Sequence, residues 1–418
     1  VGWYRTEFDV PQFQAGKRAT ILFDGAMSHA NVYINGQKVG YWPYGYNSFH
    51  FDITKYLKPG EKNTLAVRLE NLPESSRWYP GAGLYRNVHL IITEDAYIPV
   101  WGTYITTPSV NEKFAKVNVR TKVVLPEGAD PAKYSVETSV WNPNKQKLTA
   151  VRTSLAQMKY NNNQAEQEFV IQAPSLWSPE MPALYSAETR LYEGDKLKDI
   201  YTTPFGIRSI EIIPDKGFFL NGKRTVFKGV CNHHDLGPLG AAVNDAAIRR
   251  QIRILKDMGC NAIRTSHNMP APELIRACDE MGMMIMAESF DEWNVAKCKN
   301  GYNLLFDEWA EKDLVNLLHN FRNNPSVVMW CIGNEVPNQW NEGDCKIAKW
   351  LQDICHREDP TRPVTQGMDA PDAVVNNNFA AVMDVAGFNY RPFKYKINYK
   401  KLPQRIVLGS ETASTVSS

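Results

Sequence analysis

Two glutamates, each following a short apolar run, are the residues of this sequence best suited to chemistry. Glu335 comes after the run 327–332 and Glu411 after the run 406–408, with two small or polar residues between run and glutamate. Such runs are typical of strands that are buried on both faces in a parallel sheet. Because parallel strands end at the same edge, the pattern predicts two carboxyl groups facing each other at the mouth of a (β/α)8 barrel.

A pair of carboxyl groups in this arrangement is suited to the hydrolysis of glycosidic bonds. One must be protonated to donate a proton to the leaving oxygen, and the other must be ionised to attack the anomeric carbon. A separation of roughly 5–5.5 Å would imply retention of configuration through a covalent intermediate. Spacing in the sequence does not decide which of Glu335 and Glu411 has which role. Asn334 is a candidate for a hydrogen bond to the sugar 2-hydroxyl.

The chain divides into three regions with different patterns. Residues 1–94 alternate apolar and polar positions between turn signals, which predicts a jelly-roll β-sandwich. Residues 95–204 continue as strands and predict an immunoglobulin-like β-sandwich. Residues 205–418 alternate strands and helices, as in a TIM barrel. Only seven barrel strands can be counted, and the region is shorter than the roughly 250 residues usual for this fold. We therefore expect the barrel to be truncated after strand 7 and the chain to be a fragment.

Composition excludes several classes of partner. The 418 residues carry a net charge of +2, without a basic run interleaved with aromatics, so neither nucleic acid nor an anionic membrane is an expected partner. No apolar run reaches the roughly 18 residues of a membrane-spanning helix. The seven cysteines are odd in number and lack CxxC pairs, which argues against a disulfide framework or a structural zinc site. We expect a soluble protein, periplasmic or cytoplasmic, since no signal region that would decide the compartment is represented.

The motifs around the two glutamates resemble those of glycoside hydrolase family 2, and of its β-galactosidases in particular. Four lie in the barrel region, namely GVCNHHD at 229–235, RTSHN at 264–268, GNE at 333–335 and GSE at 409–411. Two more, NVYINGQKVG at 31–40 and SRWYPGAGLYR at 76–86, resemble the sugar-binding domain of that family. The resemblance covers essentially the whole chain. It implies that Glu335 is the acid/base and Glu411 the nucleophile.

The resemblance also implies roles for other strand-end residues. His267 would contact sugar hydroxyls, and Tyr390 would lie beside the nucleophile. His233 and Asp235 would bind the substrate from the end of the first barrel strand, with Asp235 as a hydroxyl acceptor. The alternatives are that His267 orients a carboxylate, that Tyr390 packs in the core and that Asp235 caps a loop.

A metal site is not predicted. Glu288 ends the third barrel strand, near the position at which some members of the family hold a magnesium ion, but the segment from Glu288 to Asp291 does not match the metal-binding pattern. We expect that no cofactor is required, and that Glu288 contacts the substrate or supports the site. His233, His234 and Asp235 are adjacent in sequence, and adjacent ligands seldom converge on one ion.

The resemblance implies an exo-acting retaining β-galactosidase that hydrolyses terminal β-D-galactosides of small molecules or oligosaccharides. Ser76 stands about where the best-known galactosidases have an aspartate that reaches the sugar, and this departure concerns the sugar rather than the chemistry. One alternative is a β-glucuronidase of the same architecture, which would need a cation near C6 of the sugar. Another is a non-catalytic carbohydrate-binding protein. A homo-oligomer is expected by resemblance alone.

Overall fold

A computed structural model describes residues 1–12, 16–157 and 164–413 of the chain. These residues form two antiparallel β-sandwiches, followed by an α/β unit built on a seven-stranded parallel sheet. The predicted fold class, a jelly-roll sandwich, an immunoglobulin-like sandwich and a TIM-barrel unit, is confirmed. In the part of the chain that is described, each helix is too short or too polar to cross a membrane.

The first sandwich consists of seven strands. They are β1 (Gly2–Asp9), β2 (Arg18–Phe23), β3 (Ala30–Ile34), β4 (Gln37–Trp42), β5 (Phe49–Asp52), β6 (Lys62–Leu69) and β7 (Val88–Thr93). Their two sheets have the orders β1-β6-β3-β4 and β5-β2-β7. Buried residues alternate with more exposed ones along β3 and β6, because one face of each strand packs on the core. The stacked rings of Phe23 and Phe49 lie in this core.

The second sandwich also has seven strands. They are β8 (Thr103–Val110), β9 (Phe114–Lys122), β10 (Tyr134–Trp141), β11 (Lys147–Ser154), β12 (Gln164–Gln172), β13 (Tyr185–Glu193) and β14 (Lys196–Phe205). They form the sheets β11-β10-β13-β14 and β12-β9-β8. Apolar residues at every second position, such as Val117 and Val119 on β9, build the core between the sheets. The seven cysteines lie outside this sandwich and are all free.

The α/β unit begins with a small antiparallel sheet and continues as alternating strands and helices. Its first three strands are β15 (Ile210–Ile213), β16 (Gly217–Leu220) and β17 (Lys223–Arg224). The parallel strands are β18 (Gly229–Asn232), β19 (Ala262–Thr265), β20 (Met284–Glu288), β21 (Val327–Asn334), β22 (Val364–Met368), β23 (Val385–Asn389) and β24 (Val407–Glu411), paired in sequence order. The helices are α1 (Asp245–Asp257), α2 (Pro272–Met281), α3 (Phe306–Phe321), α4 (Cys345–Glu358), α5 (Pro371–Asn376) and α6 (Tyr395–Tyr399).

Local sequence explains how these strands come to present their carboxyl ends together. Every residue of β21, β22 and β23 is buried, as expected for strands covered on both faces. Helix α1 begins where the side chain of Asn244 accepts a hydrogen bond from the backbone of Ala247, and α2 has Pro272 at its first position. Each helix runs back across the sheet between two parallel strands, so successive strands begin at the same end.

The jelly-roll sandwich packs against the α/β unit through buried polar contacts. Asp313 of α3 accepts hydrogen bonds from Trp42 Nε1 at 2.9 Å, Asn47 Nδ2 at 2.7 Å and Tyr302 Oη at 2.6 Å. Burial raises the pKa of the Asp313 carboxyl to about 7, although these hydrogen bonds act in the opposite direction. Arg86 also crosses the interface and donates to the backbone oxygen of Met269 at 2.8 Å.

We expect Asp313 to make the folded protein less stable as the pH rises from about 4 to about 7. In the unfolded chain this carboxyl ionises near pH 4, while in the folded protein it keeps its proton up to about pH 7. Between these pH values the folded state binds a proton that the unfolded state has lost, so the free energy of unfolding falls as the pH rises. The melting temperature of the natural protein should therefore fall relative to that of Asp313→Asn as the pH rises over this range. Exposed Asp307 provides the control variant, Asp307→Asn. Parallel curves for Asp313→Asn and the natural protein would contradict this assignment.

Candidate active site

Glu411, the last residue of β24, lies among hydrogen-bond donors. Its Oε1 accepts from Arg264 Nη1 at 2.6 Å and from Asn389 Nδ2 at 2.9 Å, and its Oε2 accepts from Tyr390 Oη at 2.7 Å. Burial by itself would raise the pKa of Glu411. The charge of Arg264 and the hydrogen bond from Tyr390 outweigh that effect and hold the pKa below its usual range. Glu411 is therefore ionised at neutral pH and suited to act as a nucleophile.

Tyr390 is protonated where Glu411 is ionised. Its hydrogen bond to Glu411, together with burial, raises the pKa of the phenol to about 12, so that it keeps its proton and donates. The residue follows β23 with a φ of 56°, in the left-handed region. From this backbone conformation the hydroxyl reaches Glu411.

Glu335 follows β21 and lies close to Glu411. Its backbone N–H donates to the oxygen of Gly367 at 2.7 Å, and its φ is 44°, a strained value for a residue with a side chain. Oε1 of Glu335 accepts a hydrogen bond from Asn389 Nδ2 at 2.9 Å, the same nitrogen that donates to Oε1 of Glu411. Since both oxygens lie 2.9 Å from one nitrogen, they are no more than twice that distance, about 5.8 Å, apart.

Asn334 lies at the centre of a buried amide network. Its Oδ1 accepts from Arg264 Nη2 at 2.9 Å and from Asn389 Nδ2 at 3.0 Å, and its Nδ2 donates to Asp291 Oδ1 at 3.0 Å. Gly367 lies opposite Asn334 in the strand register, and a Cβ there would meet Arg264 Nη2 at 2.7 Å. The glycine therefore provides the space in which these side chains converge.

Arg264, His267 and Glu288 support the site from β19 and β20. Glu288 Oε2 lies 2.5 Å from Arg264 Nε, an ion-pair contact whose angle does not make a hydrogen bond, and Oε1 lies 2.9 Å from His267 Nδ1. His267 Nε2 is 3.7 Å from Glu411 Oε1. Glu288 has no exposed surface, and Arg264 and His267 line the cavity in front of it. Of its two predicted roles, the supporting one fits this position, and contact with a substrate stays a prediction.

A cavity of about 640 Å³ opens in front of these groups. Its walls include polar side chains suited to sugar hydroxyls, namely Glu335, Glu411, Tyr390, His267, His233 and Arg77. The same cavity also extends along the sheet past apolar residues such as Phe227, Met284 and Leu408. A larger cavity of about 1090 Å³ lies between the second sandwich and the loops around Asn323 and Arg362, and contains none of these residues. We take the smaller one as the candidate active site, because it holds the two carboxylates.

The residues after β18 are divided between this cavity and the jelly-roll sandwich. His233 lines the cavity, with its ring centroid 5.7 Å from that of His267. His234 points the other way, and its Nε2 lies 2.9 Å from the backbone oxygen of Pro80. Asp235 is outside the cavity wall as described, so its role as a hydroxyl acceptor stays a prediction. In the described part of the chain, no three His, Cys, Asp or Glu side chains are grouped to hold a metal ion.

Five residues of the site were given no role from the sequence, namely Arg264, Asn389, Asp291, Arg77 and Lys297. Asn389 bridges the two carboxylates. Asp291 accepts hydrogen bonds from Asn334, Arg77 and Lys297. Asn389 had a usable signal, since it is a polar residue at the end of a buried strand. Arg77 had no signal from strand spacing, but it lies next to Ser76, where the family resemblance implies a residue that reaches the sugar.

Known families and relatives match almost the whole chain. Three family models match in order: "Glycosyl hydrolases family 2, sugar binding domain" at 1–94, "Glycosyl hydrolases family 2" at 97–208 and "Glycosyl hydrolases family 2, TIM barrel domain" at 211–413. The chain is 41% identical to "Beta-galactosidase BoGH2A" of Bacteroides ovatus, over 93% of this chain and 50% of that protein. It is 36% identical to a "Putative beta-glucuronidase" of Formosa agariphila, over 93% of this chain and 35% of that protein.

Solved structures agree with these matches. A family 2 member from Bacteroides cellulosilyticus superposes with a TM-score of 0.91 at 36% identity, covering 97% of this chain and 52% of that one. A β-glycosidase from Bacteroides vulgatus superposes with a TM-score of 0.86 at 35% identity, covering 96% and 50%. The chain spans about half the length, or less, of the curated relatives reported above.

We expect Gly367→Ala to destabilise the protein by about 1–3 kcal/mol, because the added methyl group overpacks a buried site. The new Cβ would lie 2.7 Å from Arg264 Nη2 and 2.9 Å from Asn389 Oδ1, and neither side chain can move without breaking its hydrogen bonds. Urea denaturation measures the free energy of unfolding. Gly2→Ala is the matched control, since its Cβ would meet only Tyr4 at 3.8 Å. Equal stability of the two variants would show that the network tolerates the methyl group.

Proposed function

Since this chain belongs to glycoside hydrolase family 2, we propose that it hydrolyses terminal β-D-galactosides with retention of configuration, Glu335 acting as acid/base and Glu411 as nucleophile. The observation that carries the proposal is the single amide nitrogen of Asn389, which lies 2.9 Å from an oxygen of each carboxylate. It keeps the two Oε1 atoms within about 5.8 Å of each other, twice 2.9 Å. Retaining enzymes hold their two carboxyl groups roughly 5–5.5 Å apart, whereas inverting enzymes need at least about 6.5 Å to admit a water molecule.

The different surroundings of the two carboxyl groups support the division of roles. Glu411 is held ionised by Arg264 and Tyr390, as a nucleophile must be. Glu335 has no hydrogen bond from a charged donor among the described residues, which suits a group that must gain and lose a proton. A nucleophile needs its charge throughout the approach to the anomeric carbon, while an acid/base changes its charge at each step.

The reaction then proceeds in two displacements. Glu411 attacks the anomeric carbon and forms a glycosyl ester as the bond to the leaving oxygen breaks, and the proton of Glu335 goes to that oxygen. In the second step Glu335 removes a proton from water, whose oxygen attacks the same carbon and releases Glu411. The product is the β-sugar with Glu335 protonated again. In this proposal Asn334, His267 and His233 bind sugar hydroxyls during both steps, and the two histidines line the cavity.

The choice of galactose rests on the likeness to the relative from Bacteroides ovatus, which is named a β-galactosidase. A β-glucuronidase is the second candidate, because other relatives carry that name and one feature of the cavity favours an anion. Arg77 lines the cavity, and its Nη1 makes no hydrogen bond among the described residues. A uronate would need a cation such as this near its carboxylate.

Replacing each glutamate should separate the two roles. We expect Glu335→Ala and Glu411→Ala each to lower kcat/KM for nitrophenyl β-galactoside by about a hundredfold or more. Azide should rescue Glu335→Ala with formation of the β-galactosyl azide, because azide attacks the covalent intermediate from the face that water uses. It should rescue Glu411→Ala with formation of the α-azide, by direct displacement. Product anomers are read by NMR spectroscopy.

The same measurement made with β-glucuronide, β-glucoside and β-mannoside identifies the sugar. Glu308→Gln is the control, since Glu308 is an exposed residue of α3 that pairs with Lys312. The opposite anomers would reverse the roles of the two glutamates. Glucuronide turnover in place of galactoside turnover would keep the mechanism and replace the proposed sugar. Binding without turnover of any of the four would favour a carbohydrate-binding protein.

Tyr390→Phe should move the acid limb of the pH profile of kcat/KM to higher pH. The phenol donates to Glu411 and helps to lower its pKa, so removing the hydroxyl raises that pKa and the nucleophile is lost at a higher pH on acidification. The profile is measured with nitrophenyl β-galactoside. Tyr192→Phe, in the second sandwich, is the control and should leave both limbs in place. An unmoved acid limb in Tyr390→Phe would rule out Glu411 as the group that it reports.

A further inference from the structure

We propose that Arg77, a residue of the first sandwich, acts together with Lys297 and through Asp291 to hold the side-chain amide of Asn334 in its catalytic orientation. This inference rests on the proposed function, because it assigns to Asn334 a hydrogen bond to the sugar 2-hydroxyl. It names three positioning residues, none of which was a candidate from the sequence. It also gives the jelly-roll domain a direct part in the chemistry of the barrel.

Arg77 reaches Asp291 with a two-pronged contact. Its Nε donates to Asp291 Oδ2 at 2.9 Å and its Nη2 donates to Asp291 Oδ1 at 2.6 Å. The Asp291 side chain is only 10% exposed, while that of Arg77 is 39% exposed and lines the cavity beside Glu335. Two parallel N–H···O bonds to one carboxylate fix both its position and its plane, which a single ammonium group does not do.

Lys297 holds the same carboxylate from the other side and also holds Asn334. Its Nζ donates to Asp291 Oδ1 at 2.9 Å, to the backbone oxygen of Asp291 at 3.0 Å and to the backbone oxygen of Asn334 at 2.8 Å. All three donors of this ammonium group are therefore used. Lys297 ties the loop after β20 to the end of β21, so that Asp291 and Asn334 keep a constant separation.

Asp291 in turn determines which way the Asn334 amide faces. Its Oδ1 accepts from Arg77, from Lys297 and from Asn334 Nδ2, so it carries no proton at that oxygen. Rotating the Asn334 amide by 180° would place Oδ1 against this carboxylate and the NH2 group against Arg264. Both contacts would be repulsive, and the charges at the two ends therefore select one orientation.

The selected orientation leaves one hydrogen of Asn334 Nδ2 without a hydrogen-bond partner among the described residues, since the other is used by Asp291. The oxygen is already occupied by Arg264 and Asn389. Asn334 is 1% exposed in the free protein, and a sugar hydroxyl that reaches its amide would meet a donor of fixed direction. An interaction that strengthens as positive charge develops at the anomeric carbon needs a donor that does not have to turn during the reaction.

A purely structural role for the Arg77–Asp291 pair, as a clamp between domains, makes a different prediction. Loss of a clamp would change the turnover of all substrates alike. Loss of amide orientation would affect only substrates that have a 2-hydroxyl. The discriminating measurement is therefore kcat/KM for nitrophenyl β-galactoside and for its 2-deoxy analogue, in the natural protein and in Asn334→Ala, Arg77→Ala, Asp291→Ala and Arg77→Lys.

We expect Asn334→Ala to abolish most of the preference for the galactoside over its 2-deoxy analogue. This loss is the largest that misorientation of the amide can cause. Arg77→Ala and Asp291→Ala should lower kcat/KM for the parent galactoside by about tenfold to a hundredfold and leave the 2-deoxy analogue within about threefold. Arg77→Lys keeps the positive charge but not the two-pronged contact, so its kcat/KM for the parent galactoside should lie between those of the natural protein and Arg77→Ala. Arg68→Ala, which breaks the Arg68–Glu70 pair of the same sandwich, should change neither substrate. Melting temperatures identify any variant that fails to fold.

Equal losses on both substrates in Arg77→Ala and Asp291→Ala, with a selective loss in Asn334→Ala, would overturn the inference and leave the proposed function intact. A second measurement does not depend on turnover. In protein labelled with 15N at asparagine side chains, the NH2 signal of Asn334 is identified by its disappearance in Asn334→Ala. Its exchange with water should be at least about tenfold faster in Arg77→Ala and in Asp291→Ala than in the natural protein. Unchanged exchange would overturn the inference even if none of the galactosides is a substrate.

Discussion

The buried guanidinium of Arg264 is the group on which the rest of the site depends. It contacts Glu288 through Nε, Glu411 through Nη1 and Asn334 through Nη2, and so joins the ends of four strands. A buried cation is tolerated only when it is paired and hydrogen-bonded, and here two carboxylates compensate one positive charge. The ionised state of Glu411, the direction of the Asn334 amide and the complete burial of Glu288 all follow from where this side chain lies.

The first sandwich contributes to the site as well as to the stability of the chain. Its buried contacts with Asp313 and Met269 fix its position against the barrel. From that position Arg77 enters the cavity, and the ring of Trp78 lies 5.9 Å from that of His267. The candidate site is therefore shared by two units of the chain, and a small shift at their interface would move a charge next to the two glutamates.

The polar residues of the site differ in how readable they were from the sequence. Glu335, Glu411 and Asn334 were readable because each follows an apolar run, and a parallel sheet brings such strand ends to one edge. Asn389 also ends a buried strand, but the family resemblance implied a role for the next residue, Tyr390, and none for Asn389. Arg77 could not have been found in this way, because its partner Asp291 is 214 positions away and no local pattern links them.

The sequence by itself determined the order of the folds and the two glutamates, because alternation of apolar residues and the composition of buried strands are local properties. It also determined, through family likeness, which glutamate is the candidate nucleophile. Only the tertiary structure decided that Glu288 lies behind the site, that His234 faces the jelly-roll sandwich and that one amide nitrogen spans both carboxylates. These facts depend on side-chain direction and on contacts between residues distant in the chain, which strand packing sets and residue spacing does not encode.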